Sequence, residues 1–211
     1  MDTLTSPAER LLRGILAFPV VFLLAGLFAV ASSGQTPSAP TSTESSRPVI
    51  DVERVQNMVH AQINDVRAER GLSPLEYNRS LDPLARVHSE DMARRDFFGH
   101  TNPDGDGVNE RARQLGLTCT LQLDEQRTAH GFGENLYTGT LYRGYRDIFE
   151  GDTMVRREYD WKDESSIARG IVNGWMNSPG HRANILDSRY ETEALSTAID
   201  DDTFYVTQIF C

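Results

Sequence analysis

The segment Trp175-Met176-Asn177-Ser178-Pro179-Gly180-His181-Arg182-Ala183-Asn184-Ile185-Leu186 contains both the end of one helix and the start of another. Upstream, Ser165 to Met176 carries Ile167, Ile171, Val172 and Trp175 at helical spacing, and Trp175 is most simply a core aromatic that buries a large area. At Ser178-Pro179 a new turn begins: serine is expected to accept amide bonds at the cap, and proline tolerates the first helical position. His181 then falls close to a helix amino end.

Further upstream, Val52, Val55, Val59, Ile63 and Val66 recur every three or four residues and Gly71 follows as a stop, so 51–70 reads as an amphipathic helix. A second helix opens near Ser80-Leu81-Asp82-Pro83 and runs through Leu84, Val87, His88 and Met92, ending before Gly99. After the turn Asn102-Pro103-Asp104-Gly105, a short third helix spans Val108 to Leu115. Downstream the period changes. Glu193–Ile199 and Thr203–Phe210 are rich in β-branched and aromatic residues around Asp200-Asp201-Asp202, which reads as a hairpin. Helices on either side of a small antiparallel sheet give an α+β domain. The charged and aromatic stretch from Thr140 to Glu164 shows no clear period and is expected to be an extended surface loop or insertion.

The uncharged run Gly14–Ala31, preceded by Arg10 and Arg13 and ending in Ala29-Val30-Ala31, suits a signal peptide or a single membrane anchor over residues 1–31. Either fate sends the rest of the chain outward, to the extracellular side or the cell surface. Residues 32–48 are Ser/Thr/Pro-rich and read as a flexible linker. The net charge is −10, and residues 1–48 balance Asp2, Glu9 and Glu44 against Arg10, Arg13 and Arg47, so the folded part, 49–211, carries all of it. Lys162 is the only lysine. An Asp/Glu/Arg surface suits high salt, the plainer alternative being an acidic protein from an arginine-favouring genome. No basic stripe offers itself to nucleic acid. Cys119 and Cys211 are the only cysteines; in an exported chain they can close one disulfide, or remain as two thiols.

The order of motifs resembles the SCP-like, or CAP (cysteine-rich secretory, antigen 5, pathogenesis-related), superfamily in its bacterial and archaeal branch. The matching pieces include Ile63-Asn64-Asp65-Val66-Arg67, His88-Ser89-Glu90-Asp91-Met92-Ala93, Phe98-Gly99-His100-Thr101-Asn102-Pro103-Asp104-Gly105 and Gly133-Glu134-Asn135-Leu136. The opening segment and Tyr205-Val206-Thr207-Gln208-Ile209-Phe210 complete the set. The resemblance implies a three-layer α-β-α sandwich and a cleft lined by two histidines and two glutamates. By position these are His100, Glu134 and His181, and Ser178 stands where the second glutamate would fall.

Two neutral imidazoles aimed at one point can hold a divalent metal such as zinc, with a carboxylate orienting a ring or a water; His100 and His181 are the candidate pair. Two protein ligands fall short of the usual three or four, so such a site would be weak and open, and the plainer role for these residues is a hydrogen-bonded polar pocket without metal. Three functions compete: a cleft that binds a lipid, glycan, peptide or cell-envelope component; a metal-assisted hydrolase with Glu134 as proton shuttle; and a structural or adhesive surface domain. The missing second carboxylate favours the first and third. His88 reads as a core histidine, Arg111 as an anchor for the loop after Gly105 through a carboxylate, and Asn135 and Asn184 as ties between loops or as lining of the pocket.

Overall fold

A computed structural model describes residues 46–211; the expected signal peptide or anchor and most of the expected linker lie outside them. The first helix, α1 (Val52–Ala68), starts where the Asp51 carboxylate accepts the Arg54 N–H at 3.0 Å, and it buries Val55, Val59 and Ile63. Gly71, at φ 70°, turns the chain after it, a conformation that favours glycine. The short strand β1 (Glu76–Tyr77) and a 3-10 turn (Arg79–Leu81) lead into α2 (Asp82–Arg95), with Leu84, Ala85, His88 and Met92 buried. Helix α3 (Val108–Gln114) comes next, then a small ribbon of β2 (Thr120–Gln122) and β3 (Thr128–His130).

The main sheet has the order β1-β7-β8-β4, built from β4 (Gly133–Thr140), β7 (Thr192–Asp200) and β8 (Thr203–Phe210). Strand β1 is parallel to β7; the other pairs are antiparallel. Alternation along β7 and β8 assigns the layers. Leu195, Phe204, Val206 and Phe210 join one core with α1, α4 (Glu164–Asn177) and α5 (Pro179–Ile185), whereas Ala194 and Ile209 pack with Leu84 and Ala85 of α2 and Ala112 of α3 on the opposite face. The domain is thus an α+β three-layer sandwich, with the expected hairpin as the centre of its sheet.

Thr140–Glu164 departs from expectation. It forms a second hairpin, β5 (Tyr142–Glu150) and β6 (Thr153–Trp161), in a two-stranded sheet of its own. Neither face is fully buried, so the hydrophobic alternation that marks a half-buried strand is missing from the sequence. Cross-strand pairs hold it instead: Tyr145 opposite Tyr159, Arg146 with Glu158 at 2.6 Å, and Asp147 with Arg157 at 2.6 Å.

Two long-range ties close the body. Cys119 and Cys211 form a disulfide across 92 residues. The fully buried Arg67 donates to the carbonyls of Ser73, Ile185, Asp187 and Tyr190, fastening the end of α1 to the loop that follows α5. Burial lowers its pKa from the ordinary guanidinium value, with Glu193 and Asp187 opposing, and the four carbonyls supply the polar partners that a sealed cation requires.

Candidate functional site

Strand β4 is the edge of the main sheet among the described residues, and its residues alternate between the two layers. Glu134 points toward α3, where the buried Arg111 guanidinium binds Glu134 Oε1, and the other oxygen, Oε2, lies 2.8 Å from His100 Nδ1. A carboxylate oxygen only accepts here, so His100 Nδ1 carries the proton and Nε2 is left as the free acceptor. Arg111 also donates to the carbonyls of His100 and Asp106, each at 3.0 Å, and so ties down the loop after Gly105 as expected.

Asn135, next along the strand, faces the other layer. Its amide nitrogen donates to His181 O (3.2 Å) and to Gln208 Oε1 (3.0 Å), while Asn184 donates to Asn135 Oδ1 (2.9 Å) and to Glu134 O (3.2 Å). These bonds fix α5 against β4. The His181 ring comes to 6.4 Å from the His100 ring, centroid to centroid, with a tilt of 53°. The pKa of His181 is lowered from the ordinary imidazole value, first by burial and second by the neighbouring His100. The two histidines and Glu134 are therefore neighbours at one sheet edge, although they come from three distant segments.

Ser178 behaves differently from expectation. Its hydroxyl makes no capping bond; the residue serves two helices through its backbone, donating N–H to Trp175 O at the end of α4 and accepting from Arg182 N–H at the start of α5. Among the described residues its side chain bonds to none of the other three. His88 is sealed in the core, with Nε2 3.0 Å from Gly99 O, and burial lowers its pKa. Trp175 is fully buried, its indole N–H donating to Leu136 O at 2.8 Å.

His100 and Glu134 line a cleft of about 490 Å³ together with Asn184, Asn109, Phe132 and Tyr190. Tyr190 had no signal in the sequence beyond its aromatic character. Gly133 explains its seat, because a Cβ at position 133 would overlap the tyrosine hydroxyl and ring. A neighbouring hollow of about 360 Å³ shares Asn109, Glu110 and Phe132 with the cleft and reaches Leu117, His130 and Cys119. Among the described residues no group of three His, Cys, Asp or Glu side chains is placed to hold a metal ion, and no helix is long and apolar enough to cross a membrane.

A three-layer α-β-α sandwich with a His/Glu cleft at the sheet edge defines the SCP-like class of domain. The chain belongs to the CAP (cysteine-rich secretory protein) family, whose family model matches residues 60–210. Among curated relatives it is 26% identical over 160 residues to the uncharacterized protein YkwD of Bacillus subtilis (strain 168), covering 76% of this chain and 48% of that one. It is 25% identical over 162 residues to the uncharacterized membrane protein YlbC of the same organism, covering 75% and 36%. The chain thus spans less than half the length of these relatives. Two solved structures share the fold: an extracellular protein containing a SCP domain from Bacillus anthracis (TM-score 0.50, 20% identity, 78% of this chain and 44% of that one) and an outer surface protein from Borrelia burgdorferi (TM-score 0.53, 16% identity, 78% and 97%).

Proposed function

We propose that the chain is an exported CAP-domain protein whose cleft, lined by His100 and Glu134, binds a small ligand, such as a lipid, glycan, peptide or cell-envelope component, without transforming it. The observation that carries this reading is the state of Glu134. Both of its oxygens are engaged, one by buried Arg111 and the other by His100 Nδ1–H, and its side chain is only 3% exposed, so the carboxylate is committed to orienting an imidazole and a guanidinium rather than standing open to water. A hydrolase needs a base within hydrogen-bond reach of its nucleophile, and Ser178, whose side chain makes no hydrogen bond to either histidine, does not supply the pair. What the cleft does offer is a set of hydrogen-bonding groups, His100 Nε2 and the Asn184 and Tyr190 side chains, beside the apolar Phe132 ring, a mixture suited to recognition. The extracellular and outer-surface descriptions of the similar structures agree with a place outside the cell, and residues 1–31 are the segment that would deliver it there.

The imidazole pair fits a metal only weakly. A zinc ion shared by two rings brings their centroids to about 5 Å, closer than the 6.4 Å here, and no third protein ligand completes the set among the described residues. His100, oriented by Glu134 and offering Nε2, together with His181 would hold such an ion, with water in the remaining positions. When bound, it would supply a Lewis-acidic contact for an oxygen of the ligand.

Native mass spectrometry of the full chain purified in high salt is expected to show a retained small molecule, and a panel of peptides and esters is expected to show no turnover. Turnover that disappears in Glu134→Gln would overturn the binding-only reading.

A further inference from the structure

Asn78-Arg79-Ser80 is the only Asn-x-Ser/Thr triplet in the chain. It has the pattern of an acceptor for N-linked glycans. The fold holds it in a defined shape. Asn78 caps the 3-10 turn Arg79–Leu81, and its Oδ1 accepts both the Ser80 N–H at 3.1 Å and the Ser80 hydroxyl at 2.6 Å. Its own N–H is anchored on Glu193 O at 2.8 Å, and Arg79 and Ser80 are exposed.

Among the described residues Asn78 Nδ2 donates to no protein group, and it is not one of the sealed polar atoms without a partner, which are Asp82 Oδ1, His88 Nδ1, Arg111 Nε, Thr197 Oγ1 and Thr207 Oγ1. An unpartnered atom outside that set is reached by solvent. We propose that Asn78 Nδ2 carries an N-linked glycan. The proposal rests on the export argued above, because the domain must face the compartment where glycans are transferred.

The two roles of the side chain do not compete. Capping uses Oδ1 and glycosylation uses Nδ2, so the turn survives modification. The Ser80 hydroxyl, by donating to the carboxamide oxygen, draws electron density from the amide and eases loss of an Nδ2 proton. This contact joins residues two apart and can form in the chain before it folds. The donor is a glycan esterified to a polyprenyl phosphate or diphosphate. A bond forms between Nδ2 and the anomeric carbon, the bond from that carbon to the phosphate oxygen breaks, the phosphate leaves with the electron pair, and one Nδ2 proton is released to base. None of the residues lining the His100 cleft belongs to this triplet, so the sugar is not attached to the cleft wall.

The test uses the full chain made in its own cells, with peptide mass spectrometry alongside protease treatment of intact cells. Peptides spanning Asn78 are expected to carry an added glycan mass, with the bare form in the minority. The mass is expected to vanish in Asn78→Gln and Ser80→Ala and to persist in Ser80→Thr. A protease-accessible chain with bare Asn78 overturns the inference and leaves the location standing, as does a glycan that persists in Asn78→Gln. A chain shielded from protease on intact cells overturns the location and, with it, the inference.

Discussion

His181 shows how one side chain records its surroundings. Burial and the adjacent His100 both disfavour its charged form, so the folded chain binds this proton less tightly than the unfolded chain does. Between the lowered folded value and the ordinary value of about 6.5, the unfolded state holds more protons, and stability is lost as pH falls through that window. Buried His88 acts in the same direction. In an NMR titration His181 is expected to titrate below the ordinary imidazole value, and His100→Asn is expected to move its midpoint upward; an unmoved midpoint would remove His100 as a cause. His100, Glu134 and His181 were legible because each lies in a distinctive run of motif residues, and Arg111 because a loop rich in turn formers needs an anchor. Glu193 was not. It is fully buried, 2.5 Å from His60 Nδ1 and from Gln208 Nε2, yet a lone acid in a strand pattern looks like a solvent-facing one until the partner from α1 is known.

At the scale of elements, close approach decides what the sequence tolerates. Gly174 on α4 lies against the Tyr137 ring of β4, and an added Cβ would overlap that ring. Gly174→Ala is expected to cost about 1–3 kcal/mol despite the better helix propensity of alanine, measured as a lowered midpoint in denaturant; an unchanged or raised midpoint would show that the ring moves aside freely. The helices were legible because each buries one stripe, and β7 and β8 because β-branched and aromatic residues dominate them. Strand β4 was not, since Gly133-Glu134-Asn135 carries no β-branched or aromatic residue to mark a strand, although it pairs with β8 along its whole length. The β5–β6 hairpin escaped for a related reason: it exposes Tyr145, Phe149, Met154 and Val155 while pairing its charges across the strands.

For the whole molecule, the disulfide is the largest single constraint. Its loop of 92 residues corresponds to about 4–5 kcal/mol in the chain-entropy description. The double variant Cys119→Ser, Cys211→Ser is expected to unfold at distinctly lower denaturant, by roughly that amount; equal midpoints under non-reducing conditions would mean that the bridge does not constrain the unfolded chain. The three-layer plan became legible through the family resemblance rather than through periodicity, because periodicity identifies elements and not the side of a sheet on which each one lies. The strand order has a kinetic consequence. The two central strands, β7 and β8, follow all the other described elements out of the ribosome, and β1 and β4 have no sheet partner until they arrive. Long-range pairing of this kind is slow to nucleate, so the main sheet can close only after the last two of its strands have been synthesised.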